Sequence, residues 1–137
     1  MILDTSAVLA ILLREPEHET FSTLLADAED PVISAATLVE VSIVMQVKRG
    51  EAGVAALDAL LAAGSVRCVA VDRAQALAAR DAYVRYGKGR SPAGLNFGDC
   101  FAYALAQVNH QPLLFKGNDF VQTDIVASNC QMLWIRQ

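Results

Sequence analysis

The chain has 137 residues, enough for one domain with a sizeable core that needs neither disulfides nor metals as staples. Its hydrophobic content of 54%, much of it alanine in helix-like segments, implies a compact and ordered chain. The net charge of −4 argues against a generic nucleic-acid coating protein but not against a nuclease, because cation-binding acids lower the formal charge while basic residues elsewhere still hold phosphates.

No run approaches about 18 uninterrupted apolar residues, and no basic segment precedes the apolar start, so the expectation is a soluble, cytoplasmic protein with no membrane partner. Cys68, Cys100 and Cys130 are odd in number and widely spaced, which predicts reduced core residues and no zinc site.

Met1–Leu3 is short and wholly apolar, as expected of a parallel strand buried on both faces. Asp4 closes it, at the strand end where open α/β sheets bind ligands. Ser6 is the expected N-cap of a helix from Ala7 through Leu13, and a capping role also accounts for Asp4 and Thr5. Pro16 starts a second helix, about Glu17 to Ala28. Val32–Ala35 is the second strand, followed by a helix from about Ala36 to Arg49 that Gly50 ends. In that helix Thr37-x-x-Glu40 reads equally as a capping box or as a carboxylate held near the strand end.

Glu51–Ala63 is a further helix, Val66–Val71 the third strand, and Asp72 caps a helix over Arg73–Tyr86. These alternations define one α/β domain over residues 1–137, with a central parallel sheet of four to five strands between helical layers. Residues 86–94 read as a flexible, basic, exposed loop whose Lys88 and Arg90 could contact phosphate, helped by Arg80 and Arg85. Asn96 caps the next helix and places Asp99 at its third position, where a carboxylate is also favoured by the helix terminus. Pro112–Phe115 is the fourth strand, Lys116–Phe120 turns off its end, and Met132–Ile135 is a last strand. His18 and His110 stand far apart with no nucleophile presented beside them, so neither is expected to be catalytic.

Four acids stand apart. Asp4 and Asp119 follow buried strands, and Glu40 and Asp99 open helices that border the same sheet edge. Only a fold that gathers strand ends can unite them. Gathered, they repel by of order 1 to 4 kcal/mol per close pair, which a cation must offset. All-oxygen ligation selects a hard ion, Mg²⁺ or Mn²⁺.

Asp4-Thr5-Ser6 after the first strand, Thr37-x-x-Glu40, Leu95-Asn96-Phe97-Gly98-Asp99 and Lys116-Gly117-Asn118-Asp119-Phe120 together resemble the PIN-domain family, and within it VapC-type toxins of bacterial toxin–antitoxin pairs. The resemblance covers essentially the whole chain. It implies a three-layer α/β/α domain with an acidic pocket binding Mg²⁺ or Mn²⁺, endoribonuclease activity, a homodimer and a small inhibitory antitoxin. By motif position, Asp4, Glu40, Asp99 and Asp119 carry over as catalytic and metal-binding acids, backed by Thr5 or Ser6 and by Asn118; Lys88, Arg90 and Lys116 are candidate RNA contacts.

Three other readings compete. A haloacid-dehalogenase phosphatase needs a second Asp where Ser6 stands. A housekeeping PIN nuclease would share every site residue, and a regulatory module would use the acids only to hold an ion.

Overall fold

The computed structural model describes residues 1–128, so the expected strand Met132–Ile135 and Cys130 lie outside the described residues. Four strands, β1 (Ile2–Leu3), β2 (Val32–Ser34), β3 (Arg67–Val69) and β4 (Leu113–Leu114), form one all-parallel sheet in the order β3-β2-β1-β4. The helices are α1 (Thr5–Leu12), α2 (His18–Asp27), α3 (Ala35–Ala63), α4 (Arg73–Tyr86) and α5 (Phe97–Asn109).

Successive residues of a strand point to opposite faces, and each face here has its own core. Ile2, Val32 and Leu113 pack with Ala79, Ala82, Tyr103 and Leu105 of α4 and α5. Leu3, Ile33 and Leu114 pack with Val8, Phe21, Leu25, Val41 and Leu57 of α1, α2 and α3. The result is the expected three-layer α/β/α domain. Alanines 102, 104 and 106 are fully buried, which lets α5 lie close on the sheet.

The two helices expected on either side of Gly50 form one long element interrupted at that residue, whose φ of 62° is left-handed and non-helical. The loop after α4 departs from its expected freedom. Leu95 N–H donates to the Tyr86 carbonyl and Lys88 N–H to the Leu95 carbonyl, at 2.8 Å each, while Ala93 and Leu95 are buried. Its base is tied down, and its cations stand outside. Cys100 is buried as expected, but Cys68 is exposed, because β3 is an edge strand with an uncovered side.

β1 carries the topological switch. The chain steps outward from β1 to β2 to β3, then returns to pair β4 on the other side of β1. The crevice at the carboxyl ends of β1 and β4 is where such sheets bind ligands, and Asp4 stands there.

Candidate active site

Asp4 is 3% exposed and is the N-cap of α1, displacing Ser6 from the role expected of it. One carboxylate oxygen, Oδ2, accepts both the Ser6 backbone N–H (3.0 Å) and the Ser6 hydroxyl (2.6 Å). The Ser6 Oγ in turn accepts the Lys116 backbone N–H at 2.9 Å, so one serine ties the ends of β1 and β4 together behind the acid. Burial pushes the Asp4 carboxyl up to about 6; the Ser6 bonds oppose the rise, and nearby Glu40 adds to it.

Glu40 is not part of a capping box. The cap of α3 is Ser34, whose Oγ accepts the Ala36 N–H, and the Thr37 hydroxyl is buried with no hydrogen-bond partner. Released from the helix terminus, the Glu40 carboxylate accepts the Thr5 hydroxyl across the sheet edge. Its other flank meets the bare backbone of Gly98, a neighbour that acid spacing alone does not single out.

Asp99 serves two roles at once. Its Oδ2 accepts the Asn96 N–H (3.0 Å) while Asn96 Oδ1 accepts the Asp99 N–H (2.9 Å), a complete capping box. Burial nevertheless pushes its carboxyl up to about 7, and Asp4, Asp119 and Glu40 all contribute by charge repulsion. The four acids picked out by the sequence therefore share one electrostatic neighbourhood. Asp119 and Asn118 are exposed in the turn after β4.

The expected phosphate contacts divide. Lys88 is exposed, and Arg90 is exposed with its Nε on the Val84 carbonyl at 3.2 Å. Lys116 is engaged elsewhere, its ammonium paired with Glu15 and, at 3.2 Å, with Glu17. Arg85 stacks on Tyr86 and pairs with Asp81 and Asp124, while Arg73 and Arg80 are exposed on α4.

The donor set suits a hard divalent ion: carboxylate oxygens only, two of them held protonation-prone by burial and like charge, with no cation among the main influences on either. Among the described residues no three acidic, histidine or cysteine side chains gather tightly enough to enclose an ion unaided.

A model of the PIN domain matches residues 1–126. The chain belongs to the PIN-domain family. A curated relative, Ribonuclease VapC of Mycolicibacterium smegmatis, is 53% identical over 127 residues, covering 93% of this chain and 98% of its own. Two solved structures share the PIN fold at low identity. Mycobacterium tuberculosis VapC20, described as a toxin cleaving the sarcin-ricin loop, superposes with a TM-score of 0.74 at 21% identity over 91% of this chain and 95% of that one. A toxin–antitoxin complex from Klebsiella pneumoniae gives 0.68 at 18% identity over 92% and 94%. Among the described residues of this PIN domain no helix is long and apolar enough to cross a membrane.

Proposed function

We propose that this PIN domain is a VapC-type toxin, a cytoplasmic Mg²⁺- or Mn²⁺-dependent endoribonuclease that works as a homodimer and is silenced by a small cognate antitoxin. The observation that carries the reading is the gathering of acids at the carboxyl ends of β1 and β4: Glu40 reaches from α3 to the Thr5 hydroxyl beside Asp4 and to the backbone of Gly98 beside Asp99, whose charged neighbours are Asp4, Asp119 and Glu40. A 53% identical relative named a ribonuclease favours the toxin over a housekeeping nuclease with the same acids.

When bound, the divalent ion supplies an activated water and neutralises charge on the phosphate. Asp4 and Asp99 would hold it directly. Ser6 orients Asp4, spending both its donors on one oxygen. Asn96 does the same for Asp99 through its N–H on Oδ2. Glu40, steadied by the Thr5 hydroxyl, and Asp119, in the turn that also carries Asn118, would help to hold the ion through water or would accept a proton from water. Lys88 and Arg90 hold the RNA backbone by charge. The apolar side chains left in solvent next to Glu40 and Asp99 in the chain, Val39, Ile43 and Val47 on α3 and Phe97 on α5, are surface for a second copy or the antitoxin to cover.

The test is cleavage of a pool of structured RNAs in Mg²⁺, Mn²⁺ and EDTA, beside Asp4→Asn. Metal-dependent cleavage that vanishes in the variant is expected. RNA affinity without turnover in Mn²⁺ would instead make the chain a binding module, and a small reading frame adjacent to its gene is the expected source of the antitoxin.

A further inference from the structure

Gly98 opens α5 directly before Asp99, a position where alanine is the better helix residue. Its conformation does not explain it. The glycines with positive φ are Gly50, Gly89, Gly94 and Gly117, and Gly98 is not one of them. The explanation lies in space. A Cβ placed on Gly98 would stand 1.9 Å from Glu40 Oε2, 2.6 Å from its Cδ and 2.7 Å from its Oε1.

Other close-packed glycines differ in what they meet. A Cβ at Gly53 would strike the Met45 carbonyl oxygen at 2.6 Å, and one at Gly87 the Tyr83 carbonyl oxygen at 2.4 Å, so there the backbone itself would have to yield. At Gly98 the three nearest atoms all belong to one carboxylate at the end of a flexible side chain. A methyl group there displaces Glu40 and leaves the fold alone. The Asn96–Asp99 capping box uses groups on either side and survives the change.

We propose that Gly98 is a positioning residue, whose missing side chain is the space that lets the Glu40 carboxylate stand between the Thr5 hydroxyl and the start of α5, beside Asp99. The inference deepens the reading of these acids as an ion-holding nuclease site and rests on it. It also gives the run Asn96-Phe97-Gly98-Asp99 a division of labour: one residue caps, one makes room for an acid from another helix, and one supplies an acid of its own.

The experiment compares wild type, Gly98→Ala, Glu40→Ala and the double variant in three assays: thermal melting without metal, Mn²⁺ affinity by calorimetry, and RNA cleavage. Gly98→Ala should melt at or above the wild-type temperature, bind Mn²⁺ about tenfold more weakly or worse, as disturbed ligand support does, and lose cleavage in parallel. On the Glu40→Ala background the same substitution should change Mn²⁺ affinity less than twofold, because the carboxylate it acts through is gone. Equal losses on both backgrounds, or unchanged Mn²⁺ affinity in Gly98→Ala, overturn the proposal. So does a crystal structure of Gly98→Ala with Glu40 still on Thr5, a result that needs no metal. Wild type that binds Mn²⁺ but cleaves no RNA defeats the nuclease reading instead, and the affinity cycle still decides the role of Gly98.

Discussion

Two groups of acids in this molecule are treated in opposite ways. Asp124 accepts the Tyr103 hydroxyl at 2.5 Å and pairs with Arg85 at 3.4 Å, and these partners hold it below the ordinary carboxylate range. Asp30 is likewise lowered by Arg67, 2.9 Å away. At the carboxyl ends of β1 and β4, burial and mutual repulsion raise Asp4 to about 6 and Asp99 to about 7, and their hydrogen-bond donors offset only part of the rise. Asp124 and Asp30 are each paired with a cation, whereas Asp4 and Asp99 have hydrogen-bond donors and like-charged neighbours, the surplus of negative charge on which the proposed ion-binding role rests.

The largest expected effect comes from removing one charge of the unpaired group. Asp99→Asn keeps an oxygen for the Asn96 N–H and so keeps the cap, but removes the charge that the proposed ion site needs. Cleavage should fall by at least about 100-fold with the melting temperature retained, as loss of a main electrostatic element of a site does. A variant with full activity would move the chemistry off Asp99.

The next effect is on stability against pH. Both raised carboxyls hold a proton more tightly folded than unfolded, so their burdens on the fold are absent below about pH 4, build from there as pH rises, and level off above about 6 for Asp4 and about 7 for Asp99. For fully buried Asp4 the rise from 3.8 to about 6 corresponds to about 3 kcal/mol at full ionisation. Asp99 is partly exposed and contributes less than its own rise suggests. Urea unfolding of metal-free protein should therefore give stability about 1–2 kcal/mol lower at pH 7 than at pH 5. Asp4→Asn should flatten that slope, and saturating Mn²⁺ should reverse it, since ion and proton compete for the same oxygens. The partnered group offers the contrast. Tyr103→Phe removes a buried donor from Asp124 and should cost about 1 kcal/mol in stability, with cleavage little changed.

The fold was legible in the chain because β1, β2 and β4 are two or three residues long and buried, and because Asp72 and Asn96 cap α4 and α5 as expected. The four acids were legible for the same reason, because parallel strands deliver their ends to one edge. Local pattern misled where two caps competed. Thr37-x-x-Glu40 has the letters of a capping box, but Ser34 already satisfies that terminus, and only the three-dimensional structure shows Glu40 free to reach Thr5. Ser6 lost the cap to Asp4 because a buried carboxylate needs both of the serine's donors. Gly98 left one signal in the sequence, a glycine early in a helix directly before an acid, but the atom it makes room for comes from a residue 58 positions away.

The smallest expected effect concerns Lys116, whose sequence position suggests a phosphate contact and whose ammonium lies between Glu15 and Glu17. All three side chains are about one-third exposed, so water screens the pairs. Lys116→Gln should accordingly change stability little, and should leave both RNA affinity and its salt dependence near wild type. Lys88→Gln or Arg90→Gln should instead weaken RNA binding and flatten the plot of log affinity against log salt by about one phosphate's worth each. If Lys116→Gln flattens that plot as much as either loop variant, the lysine leaves its glutamates when RNA arrives. The division between acids paired with a cation and acids held only by hydrogen-bond donors would then describe the free protein and not the complex.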